Sequence, residues 1–208
     1  PPLFPGQEDT WPFAPSAGQE GTRAIPKDDE SIVGWASGYI DLVYGSGVSG
    51  TFQTPVKALG PALGNSLDVV SLGQSGRITL TFTHPITDGE GPDFAVFENS
   101  FSDSFLELAW VEVSSDGEHF LRFPNFSYTA ASAGSLNATN IHGYAGKYRQ
   151  GYGVPFNLEQ LNLAHMEASS NPATGFSASY KQHLLENFPR VDLSNIRYVR
   201  ILDIVGNG

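Results

Sequence analysis

Hydrophobic and polar residues alternate most regularly from Arg77 to Thr83 (RITLTFT). Ile78, Leu80 and Phe82 fall on one side of an extended chain, and Arg77, Thr79, Thr81 and Thr83 fall on the other. This predicts a strand with one buried face. After the turn-like PITDGEGPD, the segment DFAVFEN (93–99) is apolar on both faces and predicts a strand in the middle of a sandwich. LELAWVEVSSDGEHFLRF (106–123) predicts two antiparallel neighbours joined at Ser115-Asp116-Gly117, because Gly accepts positive φ without steric cost. IVGWASGYIDLVY (32–44) predicts a strand or strand pair closed by GSGVSG, and NIRYVRILDIV (195–205) predicts a further strong strand.

Between Ala130 and Pro189 the periodicity gives way to Gly, Ser, Asn and Tyr, the composition of a long, elaborated connection. Only Asn157 to Ala168 (NLEQLNLAHMEA) has helical spacing, with Leu158, Leu161 and His165 on one face. Residues 1–30 hold Pro, Gly and acidic side chains without an apolar period, and predict an extended arm that Leu3, Phe4, Trp11 and Phe13 tack onto a surface. Residues 31–208 then form a single β-sandwich domain. No repeat at a spacing of roughly 20–50 residues interrupts that reading.

Composition agrees with an all-β class and adds exclusions. Hydrophobic residues make up 40% of the 208, with 14 Phe, 8 Tyr and 3 Trp, enough for a real core. The chain has 23 Gly and 14 Pro, the punctuation that many short strands require. Eleven basic against 22 acidic residues give a net charge of −11, which repels nucleic-acid phosphates and anionic lipid heads. With no cysteine there are no disulfides, thiolate metal sites or cysteine nucleophiles. No run reaches the ~18 apolar residues of a membrane span. The opening Pro1-Pro2, without methionine, is the expectation for a mature exported protein.

Candidate chemistry sits at the strand ends. Residues two apart share a strand face, so Glu98 points the way of Phe94 and Val96, and Asp203 the way of Val199 and Ile201. A carboxylate facing the core must be paired, protonated or bound to a cation. With Asp88, Glu90, Asp93 and Asp103 close in sequence, oxygen ligands suffice for Ca²⁺, and the expected metal set is Glu98, Asp203, Asp93 and Asp88. The bland alternative has Glu98 and Asp203 bonded to loop amides.

Trp110 and Glu112 share a face opposite Ala109, Val111 and Val113, which suits a sugar-stacking platform, although a strand tryptophan lies more often in a second core layer or under a loop. The five histidines never occur as H-x-H or H-x-x-x-H. A copper site would therefore have to gather His84, His119, His142 and His165 from separate loops. G-x-S-x-G is absent, and no carboxylate pair among 22 candidates stands out, so no enzyme is expected. The sequons at Asn125 and Asn137 matter only in a eukaryotic secretory pathway.

The run LDVVSLGQSGRITLTFTHPITDGEGPDFAVFENSF, with LELAWVEVSSDGEHFLRF, GWASGY, QTPVKALGPALG and NIHGYAGKYRQGYGVPFNL, resembles cell-surface proteins of environmental bacteria. Many of those carry a C-terminal sorting signal of the PEP-CTERM type. VEVSSDGEHF and RYVRI look like strands of discoidin-type and carbohydrate-binding jelly rolls. The resemblance implies a galactose-binding-like, jelly-roll β-sandwich with long loops, at most one or two short helices, and an extracellular or bacterial cell-surface location. Similar chains continue past VRILDIVGNG into a strand resembling GGFDLDAV, so an open sandwich edge and self-association by strand donation are expected.

The leading expectation is a surface-associated binding or adhesion module with a structural Ca²⁺, taking a glycan or other surface ligand. The alternatives are a copper-acquisition surface protein and a self-assembling surface or filament subunit.

Overall fold

A computed structural model describes residues 12–130, 133–162 and 178–205. Among these run ten strands, β1 (Ile25–Pro26), β2 (Gly38–Val43), β3 (Arg77–Ile86), β4 (Phe94–Phe97), β5 (Ala109–Ser114), β6 (Leu121–Arg122), β7 (Phe126–Ser127), β8 (Ile141–His142), β9 (Tyr152–Phe156) and β10 (Ile196–Asp203). Helix α1 (Ala178–Asn187) and several single 3-10 turns complete them. The strands form an all-β sandwich: a five-stranded sheet in the order β2-β3-β10-β5-β6, a three-stranded sheet β1-β9-β4, and the small pair β7-β8. All pairings are antiparallel.

The alternation in RITLTFT works as expected. Ile78 faces a core that also takes Val111 and Val113 from β5 and Val199 and Ile201 from β10. From the three-stranded sheet Val154 and Phe156 enter the same core, joined by Phe94 and Val96. Phe94 stacks on Phe156 at 5.3 Å, and Phe123 meets both rings edge-on. This cluster fastens β4 to the interior through one face. β5 and β6 form the expected antiparallel pair, with Gly117 at φ +82 in the turn between them.

DFAVFEN is covered on both faces as expected, and β4 is at the same time the end strand of its sheet, bonded among the described strands to β9 alone. Its second apolar face is covered by Trp35, whose ring lies 5.3 Å from that of Phe97. The helix expected from Asn157 starts as one 3-10 turn, Leu158–Leu161, capped by the Asn157 side chain, while 163–168 lie outside the described residues. The α-helix lies later, where Leu184 is buried and the Tyr180 hydroxyl donates to the carbonyl of Arg122.

The described part of the arm is built into the fold. Ile25–Pro26 pairs with β9, Phe13 is buried, and the Phe13 amide donates to the carbonyl of Thr139 at 2.9 Å.

Candidate binding site

β3 and β10 present their inner face to the three-stranded sheet, but that sheet ends at β4 and covers only part of it. Beyond β4 a cleft of about 1450 Å³ opens onto Ile78, Leu80, Phe82, Val199 and Ile201. Ile78 and Ile201 are buried, whereas Leu80 and Phe82 remain partly exposed. The far wall is the connection from β2 to β3. Its 62–68 stretch is pinned to the opposite side by Asn99 Nδ2 donating to Ser66 O at 3.2 Å and by Ser66 Oγ donating to Gln150 Oε1 at 2.5 Å. Around the mouth stand exposed apolar side chains: Val33, Leu63 at 59% exposure, and the paired rings of Phe101 and Phe105 at 58% and 56%. Contiguous exposed apolar surface of this kind marks interaction sites on soluble proteins.

One end of the cleft is acidic. Glu98 follows β4, Asp203 ends β10 and Glu107 precedes β5, and all three line the cleft. Burial, followed by the repulsion of Glu107 and Asp203, pushes the Glu98 carboxyl up from 4.5 to about 8. The carboxyls of Glu107 and Asp203 are also raised, chiefly by burial. The backbone amide of Ser75 donates to Asp203 Oδ2 at 3.2 Å.

This acidic end is held by Ser100, fully buried, whose Oγ donates to Gly146 O at 3.2 Å and accepts from Glu107 N at 3.1 Å. Gly146 has φ +76, and a Cβ there would stand 1.7 Å from the Glu107 carbonyl oxygen, so only glycine allows the approach. Glu107 escaped the sequence reading, yet the period-2 rule finds it, since 107, 109, 111 and 113 share the inner face.

The expected calcium set does not assemble. Asp93 and Asp88 lie beyond the opposite end of β4 from Glu98, and five strand steps separate Asp93 from Glu98 by roughly 16 Å. Asp93 instead ties two loops together, accepting from Gly89 N and Leu158 N, each at 2.7 Å. Burial, ahead of the repulsion from Asp88 and Glu159, raises its carboxyl, while these two amides pull the other way.

The copper set is equally dispersed. His84 is exposed near the end of β3. His119 lies between β5 and β6, its Nδ1 2.6 Å from Asp116 and its Nε2 2.7 Å from Arg190. His142 is buried on β8 against the rings of Phe13 and Phe126. His165 lies outside the described residues. Among the described residues, no three His, Asp or Glu side chains form a group that could hold a metal ion.

Trp110 and Glu112 do share the outer face of β5, but the protein's own side chains occupy them. Glu112, 3% exposed, takes Arg122 on Oε1 at 2.7 Å and Arg200 on Oε2 at 2.5 Å. The Arg122 guanidinium lies 4.2 Å from the Trp110 ring centre, and the indole packs beside Leu106, Leu108 and Tyr144. Arg122 thereby takes one face of the indole on which a sugar ring would stack. Glu112 is a charge clamp holding β5, β6 and β10 together.

No protein-family model, no curated protein and no solved structure matches this chain.

Proposed function

We propose that the protein is a non-enzymatic binding module of the bacterial cell surface whose ligand enters the cleft beside β4. The observation that carries this reading is an inter-sheet cleft with an apolar floor and a rim of exposed Phe101, Phe105, Val33 and Leu63. Covering that apolar surface is favourable by roughly 25 cal/mol per Å² before the entropic cost of association is subtracted, so a partner that fits the cleft has a driving force to bind there. Surface location rests on the resemblance of the VVSLG and GPDFAVFENSF phrases to surface proteins.

Retention of the purified protein on intact bacterial cells or their isolated envelopes tests the reading. The wild type is expected to be retained, and the Phe101→Asp/Phe105→Asp double variant, folded by its denaturation midpoint, is expected to wash off. Equal retention of both would move the site away from the cleft.

A structural calcium is a second reading, favoured by the mutual repulsion of Glu98, Glu107 and Asp203 at one end of the cleft. As they stand the three do not form a metal-holding group, so binding there requires their carboxylates to draw together. Millimolar Ca²⁺ should raise the melting temperature of the wild type and leave Glu98→Gln unchanged. No calcium-dependent rise in the wild type would remove the ion.

A further inference from the structure

We infer that the cleft is a strand-acceptor slot, and that its ligand is an extended peptide segment of a partner polypeptide which adds to the free edge of β4. This inference rests on the binding-module reading and names its partner. The slot has the three features that strand addition requires.

The first feature is a main-chain edge. β4 pairs with β9 in the register Phe94 with Phe156, Ala95 with Pro155, Val96 with Val154 and Phe97 with Gly153. Pro155 has no N–H, so Ala95 and Pro155 cannot form a hydrogen-bonded pair. The bonded pairs are then those of Phe94 and Val96, and Ala95 and Phe97 turn their N–H and C=O groups toward the cleft. No other strand among the described residues lies on that side.

The second feature is an apolar floor at the right depth. A strand beside β4 lies over β3 and turns alternate side chains onto Leu80 and Phe82, the partly exposed members of the inner face. The cleft, at about 1450 Å³, exceeds the about 300–1,000 Å³ of small-molecule pockets. Its lining takes in β3 residues from Ile78 to Ile86, most of that ten-residue strand.

The third feature is charge. Among the described residues Lys57 is the one Lys or Arg lining the cleft, and its ammonium already donates to Leu67 O at 2.8 Å and lies 3.7 Å from Asp68. Glu107 and Asp203, beside the nearly neutral Glu98, therefore favour a partner strand with Lys or Arg at their end. Geometry disfavours a second copy of this chain pairing through its own β4. An antiparallel two-fold pairing of two β4 edges puts both five-stranded sheets on the same side, and β3, which extends past β4 in each, would collide with its counterpart.

The test uses the full chain and a fluorescent, end-blocked octapeptide, Lys-Val-Thr-Val-Thr-Val-Thr-Ser, read by anisotropy. Saturable binding is expected, with protection of the Ala95 and Phe97 amides from hydrogen exchange. Ala95→Pro removes only an outward N–H and should weaken binding about tenfold, the scale of one lost main-chain bond in a desolvated slot. Should Ala95→Pro fail to fold, two N-methylated peptides decide the question. Methylation at one set of alternate positions should abolish binding, and at the other set should leave it intact.

Equal binding of both methylated forms, or none by the parent peptide, overturns the slot. Binding only after deletion of residues 1–11 also overturns it, by making the chain's own arm the occupant. Envelope retention that still depends on Phe101 and Phe105 when the peptide fails would leave the binding-module reading standing.

Discussion

Replacing Glu98 by Gln should stabilise the protein at alkaline pH and flatten its stability against pH. In the unfolded chain this carboxyl titrates at its ordinary 4.5, and in the fold at about 8. Between those values the folded state holds a proton that the unfolded state lacks, so raising the pH through this window favours unfolding. The separation, 4.5 to about 8, corresponds to about 5 kcal/mol at ~1.4 kcal/mol per unit. That figure is a ceiling, because although protein surrounds the carboxyl, the open cleft lets water reach part of the side chain. A loss of about 2–3 kcal/mol between pH 5 and pH 9 is the working expectation.

The raised carboxyls of Glu107 and Asp203 act in the same direction. The lowered ones, Asp29, Asp41, Asp116 and Asp192, start from 3.8 and change stability only at more acid pH. Urea unfolding of wild type and Glu98→Gln at pH 5, 7 and 9 measures the effect. A wild-type stability that is level across this range, or a Gln variant with the same slope, would refute the assignment of a nearly neutral Glu98.

The remaining predictions concern the framework. Glu112→Ala leaves Arg122 and Arg200 facing each other without their shared carboxylate, and should cost about 3 kcal/mol in urea unfolding, the lower end for breaking a buried pair because both guanidinium groups are partly wet. Gly146→Ala sets a Cβ against the Glu107 carbonyl and should cost at least about 3 kcal/mol or prevent folding. Arg190→Ala breaks an exposed contact with His119 and should change stability by less than about 1 kcal/mol in the same assay.

Much of the framework was legible because period and burial agree. Ile78, Val111, Val113, Val199 and Ile201 alternate in sequence and point into one core. The same alternation carried Glu98 and Asp203 to the cleft, side by side although far apart in sequence. What sequence could not give was which distant strand ends meet. Asp93 and Asp88 are close to Glu98 along the chain, but a straight strand carries them to its other end. Trp110 and Glu112 were placed on the correct face, yet the two arginines that occupy that face come from β6 and β10.

β4 shows most clearly where pattern and position part. A segment apolar on both faces reads as an interior strand, because each face needs cover. The sequence reports that demand, but the source of the cover lies in tertiary structure. Here Trp35 covers Phe97 on one face, and the five-stranded sheet covers Phe94 and Val96 on the other. Both faces are satisfied while one edge stays open. The period of side chains carries no information about main-chain edges, since every residue has the same N–H and C=O whichever way its side chain points. Proline is the exception, and Pro155 opposite Ala95 fixes which β4 groups face β9 and which face the cleft. A single residue on the neighbouring strand therefore decides that Ala95 and Phe97 are the groups a guest strand would bond.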